Sequence, residues 1–155
     1  MTDTRSPITE ANLVVIGLEA ETRQEATRRL AESLAQAGRV TDVDGFLADV
    51  RAREEQMATG LPGGIAFPHA RSTHVTTPSV AVGLSDAGVD FGSDDGPAHL
   101  IFLIGAPQGP DHKHLVILAH LARKLINDAF RRRLRESDDP AQIAAILQRE
   151  IVIPD

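Results

Sequence analysis

Apolar residues change their spacing several times along this chain, and each change marks an element. Asn12 to Leu18 (NLVVIGL) is a short β-branched run, which predicts a strand whose apolar continuity suits burial on both faces. Thr22-Arg-Gln-Glu25 has the form of a capping box, after which Ala26, Leu30, Leu34 and Ala37 recur at helical spacing until Gly38. Thr41 or Asp42 is placed to cap a second helix, with a stripe of Phe46, Leu47, Val50 and Met57. Ile65 to Phe67, Ser79 to Leu84 (SVAVGL) and Ala98 to Ile104 (AHLIFLI) then read as strands, the last two separated by the turn-rich GVDFGSDDGP.

Helical spacing returns from about His112 to Ile126, with Leu115, Leu118, Leu121, Ala122 and Leu125 on one face. Asn127 or Asp128 opens a further helix carrying Phe130 and Leu134. Asp139 caps a last one, with Pro140 at its first position and Ile143, Ile146 and Leu147 behind it. This order predicts an α/β fold, a mixed sheet of about five strands flanked by helices on both faces, because buried strands need cover on either side. The 155 residues fit a single domain spanning 1–155, and a chain of this size hides about 70% of its unfolded surface.

Composition narrows the function. With no Trp or Tyr and five Phe, the core must be built from Leu, Ile, Val and Ala. A net charge of -6 argues against a general nucleic-acid binder, which needs a basic surface to displace counterions. No run approaches the eighteen or so apolar residues of a membrane span, and MTDTRSPITE lacks the apolar centre of a secretion signal, so the expected location is cytoplasmic. Zero cysteines exclude disulfides, thiolate-ligated zinc and a cysteine nucleophile.

The densest chemistry lies in Thr59-Gly-Leu-Pro-Gly-Gly-Ile-Ala-Phe-Pro-His69-Ala-Arg71. Gly60, Gly63 and Gly64 permit backbone angles closed to other residues and leave amide N–H groups uncovered, while Pro68 fixes its own φ and biases Phe67 away from helix. The segment is expected to present His69 at a strand end beside donors for phosphoryl oxygens. Histidine suits reversible phosphoryl transfer because its ordinary pKa of about 6.5 leaves much of it neutral and nucleophilic. Such a transition state asks for alignment and for cations or donors around the equatorial oxygens.

Arg53, just before the glycine loop, is a candidate cation, although its spacing equally suits a solvated helix arginine like Arg51. His114 lies on the apolar stripe of its helix, where a histidine is commonly a core or border residue, yet it occupies the first turn, where the helix dipole favours an anion. Thr59 offers a hydroxyl to a phosphoryl group or a bond that stabilises the turn. His112-Lys-His114 does not make a metal site, because residues two apart share no helix face and no HExxH accompanies them. His74, His99 and His120 read as surface or element-end residues, and Asp90, Asp94 and Asp95 as turn formers. No Gly-x-x-x-x-Gly-Lys loop exists for direct use of ATP, and no cofactor is expected.

The segment Thr59 to Arg71 resembles the phosphohistidine site of the fructose/mannitol-type enzyme IIA of the bacterial sugar phosphotransferase system. The similarity extends through the Asn12 strand, Arg53-Glu54, the Ser79 and His99 strands and the His114-Leu helix. The resemblance implies that His69 accepts a phosphoryl group from the phosphocarrier HPr and passes it to a cysteine of enzyme IIB. It implies that His114 faces His69 and that Arg53 assists, with Thr59, Gly64 and Arg71 as supporting phosphoryl-binding residues. Without a cysteine or a membrane span, IIB and the membrane component IIC are expected on other chains. Leu61, Pro62 and Phe67 are the apolar candidates for partner contact. Two other classes remain open: a nitrogen-type regulatory enzyme IIA, which binds targets according to phosphorylation, and a histidine-dependent hydrolase, for which no Asp-His-Ser set is visible.

Overall fold

The computed structural model describes residues 7–109 and 113–151; His112 therefore lies outside the described residues. A 3-10 turn, Ala11–Leu13, leads into β1 (Val14–Ile16), and two helices follow, α1 (Arg23–Gln36) and α2 (Val43–Gln56). Four strands come next: β2 (Gly60–Leu61), β3 (Ile65–Ala66), β4 (His69–Ser72) and β5 (Ser79–Val89). Strand β6 (Ala98–Pro107) and helices α3 (Lys113–Leu125), α4 (Asp128–Glu136) and α5 (Pro140–Glu150) complete the chain.

Local chemistry accounts for the helix ends. Thr22 accepts the Glu25 N–H at 3.1 Å, Asp42 accepts from Gly45, Asn127 from Phe130 and Asp139 from Ala141, each satisfying an otherwise orphaned donor. Helix α1 stops at Gly38, whose φ of 77° lets Arg39 N–H reach back to Leu34 and Gly38 N–H to Ala35. The buried Arg39 then ties the N-terminal segment down, donating to the Pro7 carbonyl, the Ser79 hydroxyl and the Glu10 carboxylate.

The sheet runs β1-β5-β6-β3-β2, and β4 also pairs with β6, beyond β3. Only the β5/β6 and β2/β3 pairs are antiparallel, so the sheet is mixed. Alternation along the central strands divides the core in two. Val80, Val82, Leu84, Leu100, Phe102 and Ile104 pack with Ile117, Leu121, Leu125, Leu134, Ile143 and Leu147 of α3 to α5. Ala81, Ile101 and Leu103 point the other way, onto Leu30, Leu34, Phe46, Leu47 and Val50 of α1 and α2. Each fully buried leucine or phenylalanine contributes about 1.5–3 kcal/mol, so the two layers hold the sheet firmly.

Several expectations change in detail. Among the described residues the mixed sheet has six strands: Pro68, with no N–H for the ladder, separates β3 from β4, and Gly60 and Leu61 add a short partner. Strand β1 is shorter than Asn12 to Leu18 and lies at the sheet edge, where Ile16 is exposed rather than buried. Met57 leaves the α2 stripe: the helix ends at Gln56 and Met57 is extended and 69% exposed. On α3 the buried stripe is Ile117, Leu121 and Leu125; Leu115 is 53% exposed and Ala122 faces solvent.

Candidate functional site

His69 opens β4 opposite Ile104 of β6, immediately after the buried Pro68, whose carbonyl accepts the Ile104 N–H. Its Nδ1 lies 2.8 Å from the Phe67 carbonyl oxygen. A carbonyl only accepts, so Nδ1 carries the proton and the neutral ring keeps its lone pair on Nε2. Burial holds the imidazole below its ordinary pKa. The Phe67 bond opposes this, the Arg53 guanidinium reinforces it, and the Glu54 carboxylate opposes it.

Around His69 the fold forms a shallow depression of 470 Å³, whose walls include Asp49 and Arg53 of α2, Arg71 of β4, and His114, Leu115 and Leu118 of α3. His69 and Arg71 are two apart on one strand and so face the same side. Arg71 donates to the Gly109 carbonyl, and its Nε is buried with no hydrogen-bond partner among the described residues. Arg53 donates to the Met57 carbonyl at 3.0 Å, a bond that keeps the guanidinium at the C-terminal end of α2. His114 arrives from the first turn of α3. Chemically, this is a neutral imidazole nitrogen beside two guanidinium groups and a second imidazole, in a hollow open to a large partner.

Two expected members do not join the hollow. Gly64 belongs to the Pro62-Gly63-Gly64 turn of the β2/β3 hairpin, and its carbonyl accepts from His99 and Leu100. His69 registers with Ile104, so the turn lies about 15 Å along β6 from it at 3.3 Å per residue. The Gly63 N–H is moreover taken by the Asp95 carboxylate at 2.9 Å, leaving this loop committed to holding the hairpin. Thr59 is buried and gives its hydroxyl to Glu54 Oε1 at 2.6 Å and its N–H to Oε2 at 2.9 Å. Of the expected contact residues, Phe67 is buried with its ring edge against Phe102, and Leu61 and Pro62 sit on the distant hairpin.

Several of the other histidines and aspartates have local partners. His99 Nδ1 donates to the Ser85 carbonyl, and His74 stands 3.9 Å from Asp42. Asp90 and Asp95 accept from Gly92 and from Ser93 within the β5/β6 connection. Among the described residues no group of three or more His, Asp or Glu is arranged to hold a metal ion, and no helix is long and apolar enough to cross a membrane. Sequence reasoning left Glu54 and Asp49 without a role and put Leu115 in the core. The spacing of Glu54 five residues before Thr59 is the trace in the sequence that could have found their contact.

Residues 7–150 match the family described as "Phosphoenolpyruvate-dependent sugar phosphotransferase system, EIIA 2". The fructose-specific EIIA component of Haloferax volcanii is 35% identical over 143 residues, covering 92% of this chain and 93% of that protein. The fructose-specific EIIABC component of Bacillus subtilis is 33% identical over 137 residues, covering 88% of this chain, which spans only 22% of that longer protein. Among solved structures, the nitrogen regulatory protein IIA-Ntr of Neisseria meningitidis superposes with a TM-score of 0.82 at 26% identity, covering 90% of this chain and 96% of the other. With a family match over nearly its whole length and a 35% identical relative of its own size, the chain belongs to the EIIA 2 family of the phosphoenolpyruvate-dependent sugar phosphotransferase system.

Proposed function

We propose that this chain, as one EIIA domain over 1–155, is a histidine phosphocarrier that takes a phosphoryl group from HPr onto His69 and passes it to a cysteine of enzyme IIB. The observation that carries this reading is the Nδ1 bond to the Phe67 carbonyl, which leaves the Nε2 lone pair free in the depression. In the first transfer that pair attacks phosphorus and forms an N–P bond while the bond from phosphorus to HPr breaks, its electron pair leaving with HPr. In the second, the IIB sulfur attacks, and the N–P pair returns to Nε2. Nδ1 keeps its proton throughout.

Arg53 and Arg71 supply positive charge for the three equatorial oxygens, and His114 adds a donor from the opposite wall. Thr59 supports the site through Glu54, and Gly64 through the hairpin alone. The fructose-specific relatives favour fructose as the sugar served, with IIB and the membrane component IIC as onward partners and transfer taking place in the cytoplasm. The structural likeness to IIA-Ntr favours a second reading, a regulatory module whose phosphorylation state selects protein targets.

One assay separates the readings. Enzyme I, HPr and radiolabelled phosphoenolpyruvate are expected to label His69, and addition of a fructose-type IIB to discharge the label. Label that persists with IIB while a regulatory target binds one state selectively supports the second reading. Failure of His69 to accept label from phospho-HPr rejects both.

A further inference from the structure

The Glu54 carboxylate, with its side chain 11% exposed, accepts three hydrogen bonds: Thr59 N–H and Arg23 Nη1 on Oε2 at 2.9 and 3.3 Å, and the Thr59 hydroxyl on Oε1 at 2.6 Å. Bonds to an ionised, poorly hydrated acceptor are short and about twice as strong as neutral ones. The Thr59 carbonyl in turn accepts the Phe67 N–H at 3.2 Å, and the Phe67 carbonyl accepts from His69 Nδ1 at 2.8 Å. A continuous path therefore runs from Arg23 on α1, through Glu54 on α2 and the Thr59 and Phe67 peptides, to the imidazole.

We propose that Glu54 is a positioning residue for phosphoryl transfer, fixing Thr59, through it the Phe67 peptide, and through that peptide the tautomer and orientation of the His69 ring. The proposal rests on the phosphocarrier reading only for its kinetic consequence; the lock itself is a property of the unphosphorylated protein. Strand alternation turns the Phe67 N–H away from β6 and toward Thr59, one step beyond the Gly60/Ala66 pair, while Pro68 offers β6 only its carbonyl, to Ile104. Thr59 follows the end of α2 at Met57, and its N–H and hydroxyl are both held by Glu54. Removing the carboxylate frees the Thr59 peptide, lets the Phe67 carbonyl turn from Nδ1, and admits the tautomer whose proton sits on the attacking nitrogen.

The test uses Glu54→Ala, Glu54→Gln and Thr59→Val, with three readouts: folding by amide spectra, imidazole ¹⁵N shifts of His69, and the rate of transfer from phospho-HPr. In Glu54→Ala the His69 nitrogens are expected to move toward averaged shifts, and transfer to slow about tenfold to a hundredfold, the size associated with a misplacement of order 1 Å. Glu54→Gln keeps an acceptor for the Thr59 N–H and is expected to retain most of the tautomer lock. Thr59→Val removes the hydroxyl bond alone and is expected to fall between the two. A folded Glu54→Ala protein with wild-type imidazole shifts overturns the proposal, whether its rate is normal or slow. Should Glu54→Ala not fold, unchanged shifts in both other variants overturn it equally. Because the ¹⁵N measurement needs no HPr, failure of the wild type to accept phosphate would refute the phosphocarrier reading and leave the lock independently tested.

Discussion

A nitrogen nucleophile must be neutral and must have its lone pair outward, and the neighbours of His69 favour both. Burial keeps the proton off, and the Phe67 carbonyl puts the remaining proton on Nδ1. Since the folded pKa lies below the unfolded value of about 6.5, the unfolded chain binds more protons between the two. Stability contributed by His69 is therefore present above about pH 6.5 and is lost as pH falls through the folded pKa. A nuclear magnetic resonance titration should place the His69 midpoint below 6.5, and His69→Gln should lose less melting temperature than wild type on acidification; a midpoint above 6.5 contradicts the assignment. The same variant should stay folded and take up no phosphate. Replacing a single pre-organised transition-state donor commonly costs about a hundredfold, so Arg53→Ala, Arg71→Ala and His114→Ala should each transfer far more slowly while remaining folded. Normal rates in all three would return those side chains to structural or solvated roles.

At the scale of elements, the local signals were the legible ones. Thr22, Asp139 and Asn127 were readable as caps because capping is decided within four residues, and the leucine stripes named the buried faces of α1 and α5. The glycine loop differs from expectation for a physical reason: Gly-Gly specifies a turn, but spacing alone does not say whether that turn folds back over the strand Ile65 to Phe67 to bring its amides to His69. The register of β3 and β4 against β6 puts the turn and His69 at opposite ends. This gives a discriminating variant. Gly63 has a φ of 96° and an added Cβ would lie 3.1 Å from the Arg131 guanidinium, so Gly63→Ala should destabilise by about 1–2 kcal/mol. Transfer by the folded protein should be unchanged. Denaturant midpoints together with the transfer rate decide this, and a stable variant that fails to transfer would restore the loop to the phosphoryl site.

Taken as a whole molecule, the fold gathers residues from α2, β4 and α3 on one face, and that convergence is what a linear reading resolves least well. His69, Arg53 and His114 were nameable singly, but the position of Leu115 was not, since helical spacing alone cannot say how far the first turn of α3 extends past the sheet. The consequence is a prediction of a docking surface other than the one expected around Leu61, Pro62 and Phe67. Phe67 is buried, and the hairpin bearing Leu61 is about a strand length from His69. Leu115 is instead a half-exposed apolar side chain on the rim of the depression, with Leu118 beside it and Arg53 and Arg71 across. A carrier must show the same nitrogen to donor and acceptor in turn, so one patch must serve both, and an apolar anchor in such a patch that contributes about 1 kcal/mol is worth about fivefold in affinity. Leu115→Ser should therefore weaken both HPr and IIB, by a similar factor and with little effect on folding, whereas Leu61→Ser should weaken neither. Chemical-shift titrations with each partner should perturb overlapping residues around His69, Leu115 and Leu118. Two separate footprints, or loss of binding in Leu61→Ser with Leu115→Ser unaffected, would move the interface to the hairpin and break the link between this depression and the relay.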